Sequence, residues 1–452
     1  MDNGKLDCER KSPWGASKSN GIVELMPPIQ PPKGRMIVPG SKSLTNRALI
    51  MAAMAQGSSR IGNILRSDDS FWCIDALRRL GAGLTLEEDS VLVEGTEGFF
   101  PNKAGSLFLG AAGTIARFLP GALAASAGPG SWQLEGSEQL SGRPIGPVID
   151  ALRALGGSIR YLGKEGCLPV QIDAGGLTGG RFEMSGAVSS QFISGLLMAA
   201  PYAEAATSIV ISDGIVQHAY VSLTTDMMAR FGVQVDISDA YARFDVRPGV
   251  YKGTDMELEA DASSSCYPLA YAALTGGYVR IDHLSERTRQ PDIGMLELFE
   301  RMGCTVERGD NWTAVQGPAD GTLHGGFTVS MREMSDQTLT LAVMAPFADG
   351  PITITGVGHI RHHECDRIAA VCESLDRVGI RADERQDGLT VYPGDPAAAE
   401  LDTYDDHRVA MSLSLLSSRV PGIKLRNPGC VSKTFPAFFE AMEELGMRIR
   451  RD

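Results

Sequence analysis

The chain has 452 residues, 43% of them hydrophobic and 21% charged, a length that favours about three domains with substantial cores. Asp and Glu outnumber Lys and Arg by 55 to 42, for a net charge of −13; this excludes broad nucleic-acid binding and requires any anionic ligand to meet a local cluster of cations. Eight cysteines without a Cys-x-x-Cys pair exclude a disulfide framework and read as the reduced thiols of a cytoplasmic protein.

Residues 1–22 carry acidic residues, Ser and Gly with no apolar h-region, unlike a signal or transit peptide, and are expected to form a disordered extension. Next comes the turn PGSKSLTNRA (39–48), which runs into an apolar helical pattern. Pro39 and Gly40 favour the turn, and Ser43 or Thr45 is placed to cap a helix whose first-turn N–H groups attract a phosphate or carboxylate. Lys42 and Arg47 add positive charge beside it. The P-loop motif is excluded, because Ser41 stands where that motif needs a glycine before the lysine. An ordinary strand–turn–helix with two solvated cations remains the alternative at this point. The most apolar stretch, 107–125, is interrupted by Arg117, Pro120 and several glycines, which argues against a membrane span.

Six amphipathic helical tails each end in a glycine: Gly81, Gly156, Gly232, Gly303, Gly379 and Gly446. Each glycine is placed to take the left-handed conformation that ends a helix, and the spacing of roughly seventy residues exceeds that of solenoid repeats. Each repeat also holds an earlier, more apolar helix, at 48–55, 115–125, 191–202, 267–274, 337–347 and 408–418. Three repeats plus three predict two α+β domains, divided near Ala260. The segments 110–117, 189–192, 261–265, 335–337 and 404–411 set cations, carboxylates or hydroxyls at the starts of these apolar helices, as Lys42 does in the first repeat. Polar helix starts recurring in all six repeats are what a site in a cleft between two three-fold domains requires.

At these helix starts the sequence resembles the 5-enolpyruvylshikimate 3-phosphate (EPSP) synthases, a family of enolpyruvyl transferases. The pieces are PGSKSLTNRA (39–48), AGTIAR (112–117), GRPIG (142–146), SSQ (189–191), DASSS (261–265), HECDR (363–367), YDDHR (404–408) and PGCVSKTFP (428–436), in order and covering nearly everything from Leu25 onward. The resemblance implies an α/β (α+β) fold of two domains, each of three βαβαββ repeats in an inside-out α/β barrel, with the active site in the interdomain cleft. It implies an N-terminal strand at 23–41 belonging to the C-terminal domain, an N-terminal domain at 42–259 binding shikimate 3-phosphate, and a C-terminal domain at 260–452 completing the phosphoenolpyruvate site. It further implies addition of the 5-hydroxyl of shikimate 3-phosphate to C2 of phosphoenolpyruvate, protonation at C3 and loss of phosphate. No metal or organic cofactor, nucleic acid or membrane is implied, and the protein would be a monomer.

By the same resemblance, Lys42, Arg367, Arg408 and Lys433 form the phosphoenolpyruvate clamp, with Gly113, Gln139 and Gln191 around it. Ser43, Arg47, Ser189, Ser190, Gln191 and Tyr220 contact shikimate 3-phosphate, together with Lys42, Asp336, His359 and His363. Asp336 holds the ring hydroxyls and takes the proton, and Glu364 is the candidate acid for C3. The catalytic set is thus Lys42, Asp336, Glu364, His363 and Lys433. Asp336 as a plain helix cap and Glu364 in a structural ion pair are the alternatives to these two roles. The chain departs from the family at Ala111 (commonly asparagine), Gln139 (often arginine, leaving Arg143 as the nearest cation), His359 (asparagine) and His363 (lysine). Gly113 keeps the small residue associated with glyphosate sensitivity, while Ala111 and Phe118 alter its neighbours.

Three other functions compete. A metal hydrolase could draw on His359, His362, His363, Glu364, Asp366 and the Asp405-Asp406-His407 run, but His362 and His363 are adjacent rather than i, i+4, and Arg361, Arg367 and Arg408 would repel a cation. A UDP-N-acetylglucosamine enolpyruvyl transferase usually carries a reactive cysteine before a segment like Gly142-Arg143-Pro144, and residues 136–144 contain none. A repurposed, non-catalytic relative would account for the four departures, but not for the retained Lys42, Asp336, Glu364, Arg367, Arg408 and Lys433.

Overall fold

The computed structural model describes residues 11–15 and 21–451. The chain forms two compact units, one holding Gly40–Leu258 and the segment at Trp14, the other holding Glu259 onward together with the N-terminal stretch up to Pro39. Each unit has its own hydrophobic core.

The described residues form six four-stranded sheets that share one pairing pattern, a parallel step followed by two antiparallel ones. In the second repeat, Ala104–Phe108 pairs in parallel with Gly130–Glu135, which pairs antiparallel with Val170–Ala174, which pairs antiparallel with Ser158–Tyr161. The parallel step needs a crossover, and the apolar helix Gly113–Ala124 provides it. The amphipathic helix Gly146–Ala154 makes the next connection, and a hairpin closes the unit.

Three of the six sheets are completed by strands distant in sequence. Met256–Glu257 joins Ser58–Gly62 in parallel in the first unit. In the second unit, Lys33–Ile37 joins Tyr278–Asp282 in parallel, and Ile22–Met26 lies between Ile423–Arg426 and Arg448–Arg451. Residues 11–15 fall in the stretch expected to be disordered, yet they are placed: Ser12 is buried, and its N–H and hydroxyl donate to Asp68 Oδ1 at 2.8 and 2.5 Å. The remainder of that stretch up to residue 20 lies outside the described residues except for these five positions.

The crossover helices are buried on all sides. In Lys42–Met54 every residue from Leu44 onward is buried, and in Ala262–Thr275 every residue before Thr275. All six tail glycines adopt positive φ, between 82° and 97°, where an L side chain is strained. In each case the residue after the glycine donates its N–H back into the last helical turn, as Ala82 does to the Leu77 carbonyl at 3.1 Å and Met447 to Met442 at 2.9 Å, a Schellman closure. Among the described residues no helix is long and apolar enough to cross a membrane, and the seven described cysteines are free thiols.

Gly40 answers to space rather than to φ, since a Cβ there would stand 1.7 Å from the Asn63 carbonyl oxygen. Gly40→Ala must move one backbone segment against another, and a destabilisation of about 1–3 kcal/mol is expected. Urea denaturation checks this, and an unchanged midpoint would contradict the packing.

Candidate active site

In the first unit, the opening turn places Ser41 as the N-cap of helix Lys42–Met54 with no side-chain capping bond. The expectation that Ser43 or Thr45 caps this helix is therefore corrected. Both lie within it, and Thr45 Oγ1 instead accepts the N–H of Leu65 at 3.0 Å. Neither cation is freely solvated. The Lys42 side chain is 17% exposed, with Nζ 3.7 Å from Oδ2 of the buried Asp69. Arg47 is buried, donating to Thr224 Oγ1 at 2.8 Å, the Ser43 carbonyl at 2.9 Å, the Tyr220 carbonyl at 3.0 Å and Ser194 Oγ at 3.3 Å. Burial lowers its pKa to about 10, partly offset by the nearby Tyr220. Arg47 thus joins the helices that carry Ser43, Ser190 and Tyr220.

Ser189 is the N-cap of helix Ser190–Ala199, and its hydroxyl accepts the Gln191 N–H at 3.3 Å. Ser190 is buried and Gln191 half-buried. A second cluster forms around Gly113, where a Cβ would stand 2.7 Å from Arg143 Nη1 and 2.8 Å from Arg117 Nη1. Arg117 is itself held by the carbonyls of Gly113 and Pro144 at 2.8 and 2.9 Å. Gln139 lies in the short helix Glu138–Ser141, whose Leu140 carbonyl accepts the Arg143 N–H at 3.0 Å.

In the second unit the predicted residues converge on Arg367, which begins helix Arg367–Arg377 and is 2% exposed. Its Nη1 donates to Asp336 Oδ1 at 2.8 Å and lies 3.1 Å from His363 Nδ1; its Nη2 donates to Glu364 Oε2 at 3.0 Å. The other oxygen of Asp336 is 2.8 Å from Arg408 Nη2, and the other oxygen of Glu364 accepts from Lys433 Nζ at 2.8 Å. Each carboxylate therefore bridges two cations of the expected clamp. Asp336 is not a helix cap, since Gln337 holds that place for helix Thr338–Met344. The ion pair at Glu364 is present, but its partners are Arg367 and Lys433, whereas Asp366 caps helix Arg367–Arg377 and pairs with Arg361.

Two members of this network have no role in the enolpyruvyl-transfer site expected from the sequence. Asp406 is fully buried, accepts from Arg367 Nε at 2.8 Å and caps helix His407–Ser414 through the Arg408 N–H at 2.8 Å. Its place just before an apolar helix is a legible cap signal, but nothing local shows that the same carboxylate anchors Arg367. Asp292 is buried, accepts a hydrogen bond from Ser263 Oγ, and is pushed up to about 7 first by burial and then by Asp336. Burial works against the charge of Arg367, but the carboxylates of Asp406, Glu364 and Asp336 outweigh it and hold the guanidinium above its ordinary range.

His359 Nε2 lies 2.8 Å from Ser335 Oγ, and its ring is 5.8 Å from that of His363. Burial pushes its pKa below the ordinary 6.5, against the opposing pull of Asp336. The folded state thus binds this proton less readily than the unfolded chain, so stability rises with pH and falls as pH drops through 6.5 and below. His359→Gln should flatten this acid limb, measured by urea unfolding from about pH 7 down to about pH 5; an unchanged slope would contradict the burial. Among the described residues no three His, Cys, Asp or Glu side chains are grouped to hold a metal ion.

Arginines and lysines gathered at buried helix starts in both three-repeat units define an enzyme for small polyanionic substrates. A family profile described as EPSP synthase (3-phosphoshikimate 1-carboxyvinyltransferase) matches residues 26–442. The chain is 51% identical to the 3-phosphoshikimate 1-carboxyvinyltransferase 2 of Halalkalibacterium halodurans, over 98% of this chain and 99% of that one. It is 40% identical to the chloroplastic 3-phosphoshikimate 1-carboxyvinyltransferase of Arabidopsis thaliana, over 95% and 85%. A solved EPSP synthase structure from Acinetobacter baumannii superposes with a TM-score of 0.80 at 26% identity, covering 95% of this chain and all of that one. The chain belongs to the EPSP synthase family.

Proposed function

We propose that this protein transfers the enolpyruvyl group of phosphoenolpyruvate to the 5-hydroxyl of shikimate 3-phosphate and releases phosphate. The observation that carries the reading is the paired bridge in the second unit, Asp336 between Arg367 and Arg408 and Glu364 between Arg367 and Lys433. Two arginine forks suit the planar carboxylate and the phosphate of phosphoenolpyruvate. As the substrate takes up hydrogen bonds from Arg367, Arg408 and Lys433, Asp336 and Glu364 give up theirs.

In this reading Asp336 then accepts the proton of the attacking 5-hydroxyl, and Glu364, relayed from Lys433, exchanges a proton at C3. The 5-oxygen adds to C2 while C3 gains a proton. Loss of a proton from C3 with departure of phosphate completes the transfer. Lys42 and Gly113 serve the phosphoenolpyruvate side, Lys42 also reaching shikimate 3-phosphate. Ser43, Ser189, Ser190, Gln191 and Tyr220 bind shikimate 3-phosphate, and Arg47 holds their helices in place. The protein acts as a monomer in this reading, which sedimentation velocity checks. Phosphate release from phosphoenolpyruvate, measured with and without shikimate 3-phosphate, tests the reaction; absence of shikimate-dependent release, or release with UDP-N-acetylglucosamine instead, refutes it.

A further inference from the structure

We propose that Ser12 and Trp14, in the N-terminal arm, are positioning residues that set the approach of Lys42 and of the Gly110–Gly113 turn to the phosphoenolpyruvate side of the site. This rests on the enolpyruvyl-transfer reading above. Ser12 gives two hydrogen bonds to Asp68 Oδ1, at 2.8 Å from its N–H and 2.5 Å from its hydroxyl, and that hydroxyl accepts the Trp14 N–H at 3.1 Å. Asp68 and Asp69 open the helix Asp68–Arg79 and are 5% and 2% exposed. Fixing Asp68 from outside the helix fixes the first turn, where the helix dipole favours both carboxylates. Asp69, the next residue, is the one that faces Lys42 Nζ at 3.7 Å.

A second path leaves the arm through its aromatic ring. Trp14 meets Phe71 edge-on at 5.4 Å, Phe71 meets Trp72 at 5.2 Å, and Trp72 meets Phe108 at 5.2 Å. The Trp72 indole nitrogen fills the space of a Gly110 side chain, 2.1 Å from where a Cβ would stand. Gly110, at φ 52°, opens the turn that leads to Gly113. One short segment thus braces both elements, and edge-on ring pairs of this kind contribute beyond simple area burial. A 1 Å displacement of a substrate-positioning group costs about a hundredfold in rate, so a smaller slackening is expected to cost about tenfold.

The test uses the full chain carrying Ser12→Ala, Ser12→Thr or Trp14→Ala, each alone and combined with Asp69→Asn. Turnover, melting temperature and the rate at which an amine-directed acylating reagent labels Lys42, read by peptide mass, are measured together. Ser12→Ala and Trp14→Ala should lower kcat/KM for phosphoenolpyruvate about tenfold and raise Lys42 labelling severalfold, while Ser12→Thr keeps wild-type values. On top of Asp69→Asn, Ser12→Ala should cost little more, because both act through one contact. Should Trp14→Ala melt below the assay temperature, Trp14→Phe and Ser12→Ala carry the comparison. Folded arm variants with wild-type turnover and labelling overturn the proposal, as does a Ser12→Ala loss that adds fully to that of Asp69→Asn. A wild-type chain without turnover refutes the enolpyruvyl reading instead; the labelling rate still tests the arm, and no change at Lys42 overturns it.

Discussion

Lys42→Met is expected to lower kcat by about a hundredfold to a thousandfold, the cost of removing one preorganised donor from developing negative charge. The structure explains why stability should scarcely change. The Lys42 side chain is partly open, and its pairing with Asp69 spans 3.7 Å, so the pair itself contributes about 1 kcal/mol or less. Asp69 is not stranded by the substitution, because it sits in the first turn of helix Asp68–Arg79, where exposed N–H groups stabilise a carboxylate. Activity and melting temperature should therefore separate. Steady-state kinetics with both substrates, beside a thermal melt, check this; retention of more than about a tenth of the wild-type rate would remove Lys42 from the site. Met rather than Ala keeps the length of the side chain, so the change reports the ammonium and not a cavity.

The repeat was legible because each tail carries two signals at once, a 3.6-residue apolar period and a glycine at its end. The glycines at 81, 156, 232, 303, 379 and 446 all adopt positive φ. The crossover helices were legible too, since an apolar run of ten or so residues has few other places to go. Strand pairing was not. The strand Ala104–Phe108 reads as AGSLF and Glu400–Leu401 is two residues long, too short for an alternation to be recognised. The pairing of Ile22–Met26 with Arg448–Arg451 links opposite ends of the chain, and no local pattern records such a partner. Within the site, the clamp cations stood out together with Asp336 and Glu364, but the two carboxylates that anchor Lys42 and Arg367 from behind did not. Asp69 and Asp406 look like ordinary helix-start residues, and only the fold brings the first to Lys42 and the second to Arg367.

Arg367→Met should cost about 3–5 kcal/mol of stability, the usual result of removing one partner from a buried ion network. Three carboxylates lean on this guanidinium: Asp406 at 0% side-chain exposure, Glu364 at 8% and Asp336 at 17%. Glu364 retains Lys433 and Asp336 retains Arg408, but for Asp406 the substitution leaves the N–H of Arg408, the His407 Nδ1 at 3.6 Å and the Cys365 thiol at 3.7 Å. The loss should therefore concentrate on Asp406. It follows that Arg367→Met and Asp406→Asn should be strongly non-additive, the double variant recovering much of what Arg367→Met loses. Arg367→Lys should recover part of the stability but little activity, because one ammonium cannot reproduce a fork that reaches three carboxylates. Urea unfolding of the single and double variants, with steady-state kinetics of Arg367→Lys, measures all of this. An Arg367→Met protein within about 1 kcal/mol of wild type would mean that the network is held by something other than paired charge.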